Sequence, residues 1–330
     1  MSINTFGAVA SSPVNFNPNR RPRIVLINIM DNAEGTEKHF VKTLQTAHPE
    51  AEIVLCRMAC AKKDAKYFLE QDYLCSDRYQ DWQEVIGRDY VDLVIVTGIN
   101  RGKLTYQDMA SQYKGFWNES CSLFRKLQHA TRSGQVGHAT LVCWSAFAAM
   151  KDLYSVDKQI HPKKFYGLFK HYLPEEPHPL LAGIEDREIL IPQSRYSYMD
   201  EEELNAAIRA HDGTVALNGP DGPALWTLES GRISCIINHP EYSIDTLSRE
   251  YAKGVEKEGS DFELPQNYDL KDIQRHTETF ERLKTLSPLL YRNIIIHALS
   301  VRPSQPKPAQ HLENQGEIAF MPLGEQVSYG

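Results

Sequence analysis

Short runs of continuous apolar residues alternate with amphipathic helical segments through the first half of the chain, and this alternation limits the possible folds most strongly. The run 23–29 (RIVLINI) places apolar residues at consecutive positions, which is typical of a strand buried on both faces. Further strand-like runs cover 51–58, 90–97 and 138–143, and helical patterns cover 34–47, 116–132 and 145–153. This order predicts an α/β fold, a doubly wound, mostly parallel sheet with flanking helices.

The second half predicts additional strands and two helices. Strands are predicted at 187–192 and 232–238, a hairpin at 213–217 and 224–228, and helices at about 243–257 and 286–301. The first 22 residues are polar, and the prolines that follow Val301 cannot continue a helix. We therefore expect a flexible leader (1–22), one folded domain (23–301) and a tail (302–330).

Composition argues against several classes of protein. A formal net charge of -7, without any basic run interleaved with aromatic residues, disfavours a nucleic-acid partner. No apolar stretch is long enough to cross a bilayer, and the amino terminus lacks the apolar core of a signal peptide, so we expect a cytoplasmic protein with no membrane partner. The six cysteines lack disulfide-framework or zinc-site spacing, and no glycine-rich phosphate loop is present. We expect no metal and no bound cofactor.

Cys143 is the first candidate for chemistry. A buried strand delivers it into a sharp turn at the carboxyl edge of the sheet, where α/β enzymes place their sites. A helix that begins just after it would stabilise a thiolate through its N-terminal dipole. The N–H of Trp144 would form half of an oxyanion hole, and the turn after Thr97-Gly98, at Ile99, would supply the other half. The alternative is a buried structural cysteine beside a core tryptophan.

His239 is the second candidate, because it also ends an apolar strand. Pro240 fixes the backbone after it, and Glu241 can turn back to bond the imidazole and hold its tautomer. The alternative is that Pro240-Glu241 only starts a helix, and both interpretations can hold at once. With Cys143, the two residues predict acyl transfer through a thioester.

Two polar stretches are candidates for substrate binding. The lysines of 163–171 (KKFYGLFKH) would hold an anion, such as a substrate carboxylate or a phosphate of CoA, or else form an exposed basic loop. Ser194 and Arg195 end a predicted strand and would bind a carboxylate, or else form a surface turn.

Six motifs, in one order between Arg23 and Leu299, together resemble a known family. They are Cys143-Trp144, Lys164-x-x-Gly167-x-Phe169-x-His171, Pro192-x-Ser194-Arg195, His239-Pro240-Glu241-Tyr242, Asp245-Thr246-Leu247-x-x-Glu250-Tyr251 and Pro265-x-Asn267-Tyr268. The set resembles homoserine O-succinyltransferases. The resemblance implies a fold similar to class I glutamine amidotransferases, and transfer of a succinyl or acetyl group from acyl-CoA to the hydroxyl of homoserine, a step towards methionine.

The resemblance also implies roles for individual residues. In a ping-pong reaction, Cys143 would take the acyl group from the co-substrate acyl-CoA, His239 would activate the acceptor hydroxyl, and Glu241 would orient His239. Lys164, Ser194 and Arg195 would line the amino-acid pocket. The family further implies a homodimer.

Several positions depart from the family pattern. Residues 30–33 (MDNA) stand where the family usually has Met-Pro-Lys-Lys, Ser145 replaces a glycine, and Gln193 replaces a histidine. Lys253 stands where an arginine is usual and keeps the charge without the bidentate geometry. Gly102 falls where members differ between glycine and glutamate, and glycine would leave room for a succinyl group. The resemblance therefore implies a divergent member, with acceptor and donor open.

Three alternatives remain from the sequence. The first is an acyltransferase on another hydroxy amino acid in a specialised pathway. The second is a glutamine amidotransferase or related amide hydrolase, which would use the same three residues on the same fold. The third is a non-catalytic protein that retains the fold.

Overall fold

The structure of the protein is a computed structural model that describes residues 21–62 and 71–301. The predicted tail and all but the last two residues of the predicted leader lie outside the described residues. Within the described ranges, no helix has the length and apolar character needed to cross a membrane. The same ranges contain no group of three His, Cys, Asp or Glu side chains that would hold a metal ion.

Ten strands of the described residues form one sheet, in the order β3-β2-β1-β4-β5-β10-β9-β8-β6-β7. They are β1 (Arg23–Ile27), β2 (Glu52–Arg57), β3 (Gln80–Asp81), β4 (Val91–Val96), β5 (Val136–Val142), β6 (Gln159–Tyr172), β7 (Glu188–Tyr198), β8 (Val215–Gly219), β9 (Gly222–Leu228) and β10 (Ile233–Ile236). From β3 to β10 in this order, neighbouring strands run parallel. The predicted doubly wound, mostly parallel sheet is confirmed.

Helices cover both faces of the sheet. They are α1 (Ala33–Ala47), α2 (Gln71–Leu74), α3 (Trp82–Val85), α4 (Tyr106–Gln112), α5 (Lys114–Arg132), α6 (Trp144–Tyr154), α7 (Glu201–Ala210), α8 (Thr246–Glu258) and α9 (Thr277–Ser300). The sequence does not predict α7, which Asp200 caps by accepting from the Glu203 N–H at 3.0 Å. Helix α9 begins well before the predicted residue 286, because Phe280 and Leu283 extend its buried face.

Alternation along β1 explains why its run is apolar throughout. Val25 and Ile27 pack in the cluster that contains residues of α5 and α6, while Ile24 and Leu26 pack in the cluster that contains residues of α1 and α9. All four are fully buried. Each contributes about 1.5–3 kcal/mol by removing its apolar surface from water.

The four strands beyond β10 pair antiparallel and extend the sheet further than the sequence predicts. The hairpin of β8 and β9 agrees with the prediction, whereas residues 159–172 form a strand, β6, that is not predicted. The alternation along β6 is interrupted by a bulge between Ile160 and Phe165 and by Gly167, whose φ is 139°. A Cβ at Gly167 would lie 2.0 Å from the Gln266 carbonyl oxygen, so only glycine fits.

The carboxyl ends of the central parallel strands meet at one edge. The Thr97 N–H, after β4, donates to the Ile27 carbonyl at 3.1 Å, and the Cys143 N–H, after β5, donates to the Ile236 carbonyl at 2.7 Å. His239 lies three residues after Ile236, the last residue of β10. The fold thereby brings the segments that carry the candidate residues to the edge where α/β sheets hold their sites.

Candidate active site

Cys143 occupies a strained turn between β5 and α6. Its φ of 54° and ψ of -118° are unusual for a residue with a side chain and cost about 1–3 kcal/mol. Its carbonyl accepts from the Ala146 N–H at 3.0 Å, so the helix begins directly after it. The thiol is partly exposed, unlike that of a core cysteine. This is the geometry of a nucleophile presented at a strand-to-helix elbow.

The two backbone segments expected to form an oxyanion hole lie against this elbow. A Cβ added at Gly98 would be 3.0 Å from the Cys143 Cβ and 3.4 Å from the Trp144 nitrogen. Glycine therefore permits the loop that leads into Ile99 to approach the turn closely. Ser145, which replaces the usual glycine, donates its hydroxyl to the Thr97 carbonyl and ties the start of α6 to the same loop.

His239 and Glu241 form a buried pair beside Cys143. The imidazole Nδ1 lies 2.8 Å from Glu241 Oε1, and the His239 N–H donates to the Pro192 carbonyl at 2.9 Å. The Tyr242 ring stacks on the imidazole at 4.6 Å between centroids. Burial lowers the pKa of His239, but the Glu241 carboxylate and the hydrogen bond and charge of Cys143 outweigh it, so the pKa is raised well above its usual value. The structure brings all three residues together.

A second polar cluster adjoins this pair and is centred on Glu250 of α8. The carboxylate accepts from Tyr242 Oη at 2.7 Å, Ser194 Oγ at 2.6 Å and Lys164 Nζ at 2.8 Å. Burial raises the pKa of Glu250, but the charge and hydrogen bond of Lys164, with the two hydroxyls, hold it below its usual value. The cluster therefore places a carboxylate and an ammonium side by side next to the His239–Glu241 pair.

Arg195 points away from this cluster. Consecutive strand residues project to opposite faces, so Ser194 reaches Glu250 while the buried Arg195 pairs with both oxygens of Asp221, each at 2.6 Å. Its Nε also donates to the Gln193 side chain at 2.9 Å. The guanidinium thereby fastens β7 to the turn between β8 and β9.

The two other expected binding residues lie in different surroundings. Lys253 is exposed on α8, one turn after Glu250. Gly102 lies in the loop after β4, where its carbonyl accepts from Lys158 Nζ at 3.0 Å and from Ser197 Oγ at 3.2 Å.

Sequence reasoning assigns no role to Glu250, Tyr242 or Lys158. Glu250 and Tyr242 belong to motifs that resemble the family, and Tyr242 follows Glu241 directly. These positions suggested that the two residues lie near the site, but they did not indicate what the side chains bind. Lys158 is a single lysine that follows α6, and nothing in its neighbours along the chain indicates that it is buried.

Comparison with known proteins identifies the family. The family model described as homoserine O-succinyltransferase matches residues 9–302. The chain is 29% identical over 260 residues to a homoserine O-succinyltransferase of Shewanella frigidimarina, covering 78% of this chain and 76% of the relative. It is likewise 29% identical over 278 residues to a homoserine O-acetyltransferase of a Synechococcus species, covering 83% and 85%.

Solved structures support the fold independently. A glutamine amidotransferase of Thermotoga maritima superimposes with a TM-score of 0.53 at 13% identity, over 84% of this chain and 99% of that one. At this identity the likeness concerns the fold alone, and it agrees with the class I glutamine amidotransferase-like architecture expected from the sequence. With the family match over most of its length, the chain belongs to the homoserine O-succinyltransferase family of acyltransferases.

Proposed function

We propose that the protein transfers an acyl group from acyl-CoA to the hydroxyl of homoserine through a thioester on Cys143. The observation that carries the proposal is the strained elbow that presents Cys143 to the buried His239–Glu241 pair. A purely structural cysteine has no need of this conformation or of a buried imidazole with a raised pKa beside it.

In the first half-reaction, His239 holds the proton of the Cys143 thiol, as its raised pKa favours. The thiolate attacks the thioester carbonyl of acyl-CoA, and the N–H groups of Trp144 and Ile99 stabilise the resulting oxyanion. The bond from carbon to the CoA sulfur then breaks, and the departing sulfur takes the proton of His239. The products are acyl-Cys143, free CoA and neutral His239.

In the second half-reaction, neutral His239 removes the proton from the acceptor hydroxyl as its oxygen attacks the acyl carbonyl. The bond to Cys143 breaks, the ester leaves, and the thiolate and imidazolium return to their starting state. Glu241 keeps Nδ1 protonated throughout, so that Nε2 remains available to exchange the proton.

The cluster around Glu250 supports an amino-acid acceptor. Its carboxylate would accept from the substrate ammonium, while Lys164 would turn from it to the substrate carboxylate, with Ser194 bonding either group. Lys253, one turn further along α8, adds a cation at the rim. Arg195 is proposed as a positioning residue that holds β7 through Asp221 rather than as a ligand.

We also propose that the protein is a cytoplasmic homodimer, with acyl-CoA as its co-substrate. Small-molecule substrates suit a site at the sheet edge, and the cytoplasm supplies acyl-CoA. The cysteines of the described ranges form no disulfide with one another, which suits a reducing compartment. Light scattering of the full chain tests the dimer.

Intact-protein mass spectrometry tests the reaction. Brief mixing with succinyl-CoA or acetyl-CoA should add one acyl group to wild type and none to Cys143→Ala, and a chase with homoserine should remove it. Cys75→Ala is the matched control, because Cys75 is an exposed thiol away from the elbow. An adduct on Cys143→Ala, or none on wild type with any acyl-CoA, would contradict the proposal. Ammonia release from glutamine would then favour an amide hydrolase.

A chase with other hydroxy amino acids tests the acceptor. Asp31, which stands where the family pattern has proline, forms an ion pair with Arg101 at 2.7 Å, so this wall of the site differs from the family pattern. If the acyl-enzyme forms but homoserine does not discharge it, the acceptor is another hydroxyl compound.

A further inference from the structure

Lys158 is a buried cation that the reaction described above does not use. It is 8% exposed, its Nζ donates to the Gly102 carbonyl at 3.0 Å, and it lies 5.0 Å from the centre of the Tyr106 ring. A lysine ammonium has three N–H donors, and the Gly102 carbonyl uses one of them. Isolated buried charge is costly, so an ammonium in this position suits an anionic ligand.

The acidic residues near Lys158 have other partners. Asp157 pairs with Lys151 at 2.6 Å, and Asp108 accepts from Thr105 at the start of α4. Among the residues that the structure describes, no carboxylate lies within ion-pair distance of the Lys158 ammonium. Burial lowers the pKa of Lys158 to about 8, although the charges of Asp157, Cys143 and Asp108 oppose this. The ammonium is therefore still charged at neutral pH.

The position of Lys158 relates it to the nucleophile. Its hydrogen-bond partner Gly102 lies in the loop that follows β4 and Gly98, and a Cβ at Gly98 would touch Cys143 at 3.0 Å. On the other side, the Tyr106 ring beneath the ammonium stacks on Trp117 at 4.9 Å.

The aromatic contacts continue to the elbow. Trp117 packs edge-on against Trp144 at 6.3 Å, and Trp144 is the residue directly after Cys143. Both sets of contacts connect Lys158 with the turn that holds Cys143, and neither includes the Glu250 cluster that holds Lys164.

We propose that Lys158 binds the distal carboxylate of a dicarboxylic acyl group, such as succinyl, while that group is carried on Cys143. This inference rests on the proposed function and names the residue that would select the donor. A succinyl group extends two methylenes beyond its thioester carbonyl before ending in a carboxylate, whereas an acetyl group ends in a methyl. Only the former gains a charge-assisted hydrogen bond from the ammonium.

The simplest competing role is electrostatic support of Cys143. An ammonium that stabilised the thiolate or the oxyanion would accelerate acylation by every acyl-CoA to the same degree. Selectivity between donors therefore separates the two roles, whereas loss of activity with one donor does not.

The experiment compares kcat/KM of acyl-enzyme formation with succinyl-CoA and with acetyl-CoA, followed by CoA release and intact mass. Lys158→Met should lower the succinyl-to-acetyl ratio about 10- to 100-fold, the range for a hydrogen bond to a charged group, with the acetyl rate little changed. Lys284→Met is the matched control, since it removes an equal charge from an exposed position of α9 and leaves the carboxylates near Lys158 with their partners. Lys158→Gln retains a donor for the Gly102 carbonyl and replaces Lys158→Met if the latter fails to fold.

Three results would overturn the proposal. An equal fall in kcat/KM with both donors would assign Lys158 to the thiolate, and no change in kcat/KM with either donor would remove it from the acyl pocket. A wild type that prefers acetyl-CoA would also refute it. Failure of the underlying reaction is distinct, because wild type would then form no adduct with either donor.

Discussion

Glu241→Gln is the substitution that most directly tests whether His239 works as a proton carrier. Glu241 Oε1 lies 2.8 Å from Nδ1, and both side chains are more than nine-tenths buried. The amide can meet His239 in two ways, with its oxygen or with its NH₂ group. The expected loss depends on which orientation the surroundings favour.

The surroundings favour the unproductive orientation. Glu241 Oε2 is buried without a hydrogen-bond partner in the described part of the chain. Placing the NH₂ group there would leave it unsatisfied, at a cost of about 1–3 kcal/mol. The NH₂ group therefore turns to His239, so Nδ1 must accept and the ring proton moves to Nε2, which can then no longer take the thiol proton.

The rate of acyl-enzyme formation should consequently fall about 10²- to 10⁴-fold. The tautomer accounts for about ten- to a hundredfold, at 1.36 kcal/mol for each factor of ten, and the lost charge accounts for the rest. Removing Glu241 also lowers the pKa of His239, because this carboxylate is the first of the groups that raise it. The imidazolium exists below that pKa, so activity should disappear at a lower pH than in wild type.

Single-turnover CoA release across a pH series, with intact mass at each point, measures both effects. Glu256→Gln is the control, because it makes the same change at an exposed position of α8. A loss of less than about tenfold with an unmoved alkaline limb would mean that His239 holds its tautomer without Glu241.

Three further substitutions or conditions give independent expectations. Lys164→Met should leave acylation by acyl-CoA intact but raise the KM for homoserine at least about tenfold, and equal loss in both half-reactions would refute its role as an acceptor ligand. Gly167→Ala should lower the free energy of unfolding in urea by about 3–5 kcal/mol, through strain at positive φ and loss of the two backbone hydrogen bonds to Gln266; a change below about 1 kcal/mol would contradict the close approach. The preference for succinyl-CoA should be full well below pH 8 and should decline as pH rises through about 8, where Lys158 loses its proton, and a pH-independent preference would contradict this. The charged groups facing Lys158 are Asp157, Cys143 and Asp108.

The parallel half of the fold could be predicted because its information is local. In β1, apolar residues at every position require burial on both faces, and only a sheet between two helix layers provides it. The turn at Cys143 is similarly local, since an apolar strand followed at once by helix-forming residues leaves only a sharp elbow between them.

The antiparallel half depends on pairings that are distant in the chain. Strand β6 contains Pro162, Gly167 and several lysines, which in isolation favour a loop. It becomes a strand because β7 pairs along much of its length and because Gln266, far along the chain, bonds on either side of Gly167. Residues 159–172 therefore form a strand because of the segments that pair with them, and their own sequence does not predict one.

For the polar residues of the site, too, local information predicts some features, whereas others depend on partners that are distant in the chain. Alternation alone separates Ser194 from Arg195, so the sequence contained enough to exclude one ligand binding both from an extended strand. It could not identify Asp221 as the partner that Arg195 takes, or Glu250 as the partner of Lys164, 86 residues away. Whether a lysine is available to a substrate depends on which carboxylates the fold brings within reach. Lys164 pairs with the Glu250 carboxylate, whereas Lys158 is buried beside a carbonyl and a ring. This difference in counter-charge is why we propose that Lys164 binds the amino acid and Lys158 binds an acyl group that ends in a carboxylate.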